Sequence, residues 1–155
     1  MDEIDNPHDQ KEKRSVHRTQ WAAQFAVASE LCKQGYEVAF TMGNHPEVDL
    51  MVISPEGRSF HVDVKGLYKR NFWVVKPKPS RAKLFYILAF VPDDEPNRFF
   101  VLSQAEVNRE VPRHLDRIRR NRAGKGLPTD KVGVMQGLSW TFAEKFEGKW
   151  KKLPK

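Results

Sequence analysis

The chain has 155 residues, 39% of them hydrophobic and 30% charged, and carries 27 Lys and Arg against 20 Asp and Glu for a formal net charge of +7. That length suits one domain with its own core and is short for two, and no apolar stretch approaches the roughly 20 residues of a membrane span, which argues against a membrane protein. The positive balance favours polyanionic partners, nucleic acid above all.

Residues 1–14 are polar with few apolar anchors and are expected to form a disordered or loosely attached arm before a single domain over 15–155. The opening lacks the basic start and apolar run of a secretory signal, so a cytoplasmic location is expected. Over 15–34 Trp21, Phe25, Ala28 and Cys32, joined by Ala22 and Leu31, recur at the helical period, and Gly35 ends the predicted helix. Cys32 is the single cysteine, which excludes an internal disulfide and a multi-cysteine zinc site, and its apolar setting predicts a buried bystander. Residues 36–41 suit a strand, and Gly43-Asn44-His45-Pro46 suits a loop.

The runs 48–53 and 59–65 are apolar and β-prone on either side of Ser54-Pro55-Glu56-Gly57-Arg58, and read as a hairpin. Beyond it come a short strand over 72–75, a basic proline-rich loop over 76–81, a buried central strand over 84–91, a turn at 92–96 and a strand over 98–102. Ser103 with Glu106 has the form of a capping box for a helix to about residue 111, and Pro112 opens a second helical piece to about 122. Residues 124–137 are turn-rich, and Trp140, Phe142, Phe146 and Trp150 are expected to fold back on the sheet. This order predicts a mixed α/β layer arrangement.

With Glu56 at the hairpin tip, residues equidistant from it face each other, so Asp49 stands opposite Asp63. Strand side chains alternate, which puts Asp63 and Lys65 on one face and Val62 and Val64 on the other. Two opposed carboxylates repel, and a divalent cation between them is the expected remedy. Mg²⁺, or Mn²⁺ in its place, takes oxygen donors: the carboxylates of Asp49 and Asp63, with the Val64 carbonyl as a third protein oxygen. Lys65 points to the same side, where it orients or polarises an attacking water. Such a set suits metal-assisted phosphodiester hydrolysis. The plain alternative is an amphipathic strand whose Asp-x-Lys is its wet face.

The segments Leu31-Cys32-Lys33-Gln34-Gly35-Tyr36, Thr41-Met42-Gly43-Asn44-His45-Pro46-Glu47-Val48-Asp49-Leu50 and Phe60-His61-Val62-Asp63-Val64-Lys65-Gly66 resemble the PD-(D/E)XK nuclease superfamily. Within it the likeness is to small restriction-endonuclease-like and Holliday-junction-resolvase-like proteins, over residues 20–102. The resemblance implies a restriction-endonuclease-like three-layer α/β core, a mixed central sheet flanked by helices, with Asp49 and Asp63 as metal ligands and Lys65 as the catalytic lysine. Val48 replaces the family's proline before the first aspartate, and Pro46 lies upstream. Related nucleases often carry a first-helix glutamate about eleven residues before the closing glycine, where this chain has Gln24. A glutamine holds a water or a phosphate without bringing negative charge. Glu30 is the alternative carboxylate, and six residues of helix turn it about 120° from Gln24, so the two do not point into one site.

Lys69 and Arg70 follow the motif, Lys78 and Arg81 lie in the basic loop, and Arg113, Arg117 and Arg120 recur at near-helical spacing. These are candidates for tracking a phosphate backbone, with a solvated surface as the alternative. His61 shares the Asp63 face and His45 precedes Asp49, both as candidate substrate contacts, while His114 is expected on the surface. The expected function is that of a Mg²⁺-dependent endodeoxyribonuclease hydrolysing DNA through a metal-activated water, as a homodimer or a subunit of a larger nuclease assembly. The alternative is a catalytically inactive nuclease-fold module that binds nucleic acid or a protein partner, which Gln24 favours.

Overall fold

A computed structural model describes residues 13–155. Helix α1 (Val16–Lys33) starts where Ser15 Oγ accepts the Arg18 N–H at 3.1 Å. It ends before Gly35, whose φ of +89° is left-handed and open to glycine without strain. Strands β1 (Glu37–Phe40), β2 (Leu50–Ile53) and β3 (Ser59–Leu67) form an antiparallel meander. All β2–β3 partners, from Leu50 with Val62 to Ile53 with Ser59, are equidistant from Glu56, the register the turn predicts.

Strand β4 (Phe72–Val74) leaves this sheet and pairs with β7 (Gly137–Ser139) as a two-stranded ribbon. The chain then returns as β5 (Leu84–Phe90), parallel to β3, and β6 (Arg98–Ser103), antiparallel to β5. The result is a mixed five-stranded sheet in the order β1-β2-β3-β5-β6. Helix α2 (Gln104–Gly124) follows directly, capped by Ser103 Oγ accepting the Glu106 N–H at 3.2 Å, and a short α3 (Trp140–Ala143) follows β7. The protein is thus mixed α/β, with helices on both faces of the sheet. Among the described residues no helix is long and apolar enough to cross a membrane.

One core lies between α1 and the sheet, where Ala23, Val27 and Leu31 meet Val62, Val64, Ile87 and Ala89. The other lies beneath α2 and the ribbon, where Trp73, Tyr86, Leu88, Phe100, Val107 and Leu138 gather. Trp140 and Phe146 fold back onto this second core, while Trp150 packs on Phe99 of the first.

Four local expectations are corrected. The buried stripe of α1 is Ala23, Val27, Ala28 and Leu31 with Thr19 and Gln24, which keeps the expected Ala28 and Leu31, whereas Phe25 is 58% exposed and Cys32 is exposed. A Cβ on Gly66 of β3 would stand 2.7 Å from the Ala23 Cβ, so helix and strand approach too closely for an aromatic face. Trp21, Phe25 and Phe40 instead form a lateral row of rings with centroids 5.7 and 5.3 Å apart. Pro112 does not divide α2: it sits at an exposed position and the helix runs on through it to Gly124. His114 is 5% exposed, wedged between the Phe72 and Phe142 rings. Of the expected arm, residues 1–12 lie outside the described residues, but Arg14 is docked, donating to the Val91 carbonyl and pairing with Asp93.

Candidate active site

Helix α2 covers β5 and β6 but not the same face of β1 and β2, where Met51 and Ile53 stay exposed. His61, Asp63 and Lys65 of β3 run along the edge of that covered half. The step between covered and uncovered sheet makes a cleft, with a cavity of about 190 Å³ lined by Asp63, Lys65, Val74, Val75, Lys76, Lys78 and Tyr86.

Asp63 is 3% exposed. Lys65 Nζ lies 2.9 Å from its Oδ1 and Lys78 Nζ 3.8 Å from its Oδ2. The Lys65 contact is an ion pair without the alignment of a hydrogen bond, and Oδ1 itself is buried. Across the parallel pair Asp63 is in register with Tyr86, which is fully buried and whose hydroxyl has no hydrogen-bond partner among the described residues. Burial, reinforced by the charges of Asp63 and Glu47, pushes the Tyr86 hydroxyl up to about 12, so it stays a donor.

Asp49 sits one residue before β2 and extends its pairing: its N–H donates to Val62 O at 3.0 Å and its carbonyl accepts the Thr41 N–H at 3.0 Å. Its side chain reaches the edge of β3, where Oδ2 accepts the Val64 N–H at 2.8 Å and Oδ1 accepts Gln24 Nε2 at 3.3 Å. Burial raises the Asp49 pKa; the Val64 bond opposes this and the negative charge of Asp63 adds to it. The two carboxylates therefore feel one another, Asp63 from the cleft face and Asp49 from the strand edge.

The lengths of β2 and β3 explain the residues that α1 supplies. Strand β3 outruns β2, so its backbone groups at Val64 and Gly66 need other partners. Gln20 Nε2 donates to Val64 O at 2.7 Å and its Oε1 accepts the Gly66 N–H at 3.3 Å. An amide does both tasks, and a carboxylate cannot donate. Gln24 next to it orients Asp49. Glu30, the alternative carboxylate, pairs with Lys33 at 2.8 Å on its own helix.

Among the described residues no group of three or more His, Cys, Asp or Glu side chains gathers as a metal centre. The oxygens available to a hard divalent cation here are those of the Asp49 and Asp63 carboxylates and the Val64 carbonyl, which keeps a lone pair beyond its bond to Gln20. Burial raises the Asp49 pKa, and the charges of Lys65 and Lys78 pull it back.

Several candidate binding residues converge beside the cleft. Glu47, which the sequence reading passed over, takes Arg81 Nη1 at 3.4 Å and Lys78 Nζ at 3.9 Å. Arg81 Nη2 lies 3.3 Å from His45 Nε2, and the rings of His45 and His61 are 6.4 Å apart. Burial, then Arg81, lowers the His61 pKa, which favours its neutral form. Position was the available signal for Glu47, two residues before Asp49, and a lone hydroxyl in an apolar run was the signal for Tyr86.

Other candidates engage other partners. Lys69 lies over the Tyr68 ring, and Arg70 pairs with Glu95 at 3.0 Å while covering the Trp140 ring. Arg113 approaches the buried Glu110, which Arg109 and Lys145 also contact. Arg120 donates to the Asp116 carbonyl at 3.4 Å, and Arg117 lines a separate hollow with His114, Asn121, Ser139 and Thr141. The fold and cleft define a mixed α/β protein with a buried carboxylate flanked by lysines. Comparison of the chain with protein-family models, with curated proteins and with solved structures finds no match.

Proposed function

We propose that the protein is a metal-dependent DNA endonuclease of the PD-(D/E)XK, restriction-endonuclease-like kind, using Mg²⁺ with Mn²⁺ as a substitute. The observation that carries this reading is Asp63, a buried carboxylate with Lys65 at 2.9 Å and with Asp49 near enough to be perturbed by its charge. A cation held by Asp49, Asp63 and the Val64 carbonyl would supply acidification of the attacking water and neutralisation of charge on the phosphoryl oxygens. Lys65 lines the cavity beside Asp63, where its ammonium would orient an attacking water and stabilise developing negative charge. Gln24 holds the Asp49 carboxylate in place, and the protonated Tyr86 hydroxyl offers a donor from the cavity wall. Arg81, with His45 and His61, provides contacts for the strand beside the scissile bond. A homodimer, or assembly with further subunits, would present two such centres to a duplex.

A second reading has its own support: α1 brings amides rather than a carboxylate, and Asp63 already has two lysine neighbours, as suits an inactive module that binds DNA or a partner. Incubation of plasmid, single-stranded and branched DNA with graded Mg²⁺ or Mn²⁺ separates the two. Nuclease action is expected to require the ion and to be lost in Lys65→Ala. DNA binding without cleavage at any ion concentration would establish the module instead.

A further inference from the structure

The loop between β4 and β5 has no regular structure and two prolines, yet four hydrogen bonds from α2 fix its backbone. Asn108 Oδ1 accepts the Lys78 N–H at 3.1 Å while its Nδ2 donates to the Lys78 carbonyl at 2.8 Å. One helical turn earlier, Gln104 Nε2 donates to the Pro79 carbonyl at 3.0 Å while its Oε1 accepts the Arg81 N–H at 2.5 Å. Each amide binds one donor and one acceptor of the loop, using its carbonyl oxygen for the first and its NH₂ for the second. Gln104 is 6% exposed, so this clamp is built into the α2 interface.

The clamp determines where Lys78 points. Its ammonium is 3.8 Å from Asp63 Oδ2 and 3.9 Å from Glu47 Oε1. Both separations are longer than a hydrogen bond, so Lys78 is attracted by two carboxylates and committed to neither. Lys65, Lys76 and Lys78 all line the cavity of about 190 Å³, with Asp63 as its single carboxylate and the partnerless Tyr86 hydroxyl in its wall. Three cations and a free donor around one carboxylate leave the cavity positive, and a phosphate oxyanion is the ligand chemistry that satisfies it.

We infer that Lys78 contacts the substrate phosphate inside this cavity, and that Gln104 and Asn108 are positioning residues that hold it there. The inference rests on the reading of the cleft as a phosphodiester site. It is tested by binding of a labelled DNA duplex in EDTA across a salt series, where catalysis plays no part. Lys78→Gln is expected to weaken binding several-fold and to flatten the slope of log K against log salt by about one. Lys151→Gln, exposed on the last turn of the chain, leaves that slope unchanged. Asn108→Leu and Gln104→Leu reproduce part of the loss in folded protein, and the double variant Lys78→Gln with Asn108→Leu binds no worse than Lys78→Gln alone. Where a leucine variant fails to fold, Asn108→Ala, which deletes the clamp without adding bulk or charge, takes its place. An unchanged slope in Lys78→Gln, or losses that add in full, overturns the inference while leaving the nuclease reading intact. Absence of DNA binding by the wild-type protein in EDTA overturns the inference, and absence of cleavage at every Mg²⁺ and Mn²⁺ concentration overturns the nuclease reading on which it rests.

Discussion

The two faces of β3 meet opposite demands. Toward α1 the strand presents Phe60, Val62, Val64 and Gly66, packed on small helix residues so closely that Gly66 has no room for a Cβ. Toward the cleft it presents His61, Asp63 and Lys65, where a carboxylate is buried against the ammonium groups of Lys65 and Lys78 and burial raises the pKa of Asp49 at the strand edge. The first face gains free energy from burial, at about 25 cal/mol per Å² of apolar area. The second gives some back, since a desolvated charge costs unless its partners are complete. Local conflict of this kind concentrates where a protein works on a ligand, and the packed face is what sustains it.

The contrast breaks most visibly at Asp63. Asp63→Ala is expected to lower metal-dependent cleavage by about a thousandfold or more, with duplex affinity and melting temperature close to wild type. A collapse in melting temperature with unaltered cleavage per folded molecule would assign Asp63 to the core and erase the difference between the faces. Gly66→Ala probes the opposite face. The new Cβ would meet the Ala23 Cβ at 2.7 Å and the Thr19 carbonyl oxygen at 3.0 Å, so α1 must shift. A urea melt is expected to show a loss of about 1–3 kcal/mol, the range of an overpacked core; wild-type stability would mean that the α1 layer yields easily.

The smallest effect has the opposite sign. Burial raises the Asp49 pKa above its ordinary 3.8, so the folded state holds this proton to higher pH than the unfolded chain does. That contribution to stability is complete below 3.8 and is lost as pH rises through the folded value, leaving ionised Asp49 unfavourable at neutral pH. Asp49→Asn keeps an acceptor for the Val64 N–H, and Gln24 turns its amide over to meet the new one. A gain of about 1 kcal/mol at neutral pH is expected, shrinking toward acid. Melts of both proteins from pH 4 to 8 check this; a variant less stable at pH 7 would show that the Val64 and Gln24 bonds need the carboxylate.

By itself the sequence determined what depends on near neighbours. Turn chemistry about Gly57 set the β2–β3 register from Leu50 with Val62 to Ile53 with Ser59, and the Ser103 hydroxyl three residues before Glu106 capped α2. The apolar run that became β5 announced a buried central strand. Only the tertiary structure decided what depends on distant partners. The phase of α1 was set by its approach to Gly66, which no helical period within α1 encodes. Parallel pairing of β3 with β5 put Tyr86 in register with Asp63, and an amide on α1 completed the edge that β2 leaves short. Asn108 and Gln104 turned a basic loop into a fixed arm over the cleft. Each of these pairs backbone or side-chain groups far apart in the chain, and their complementarity has no signature until folding brings them together.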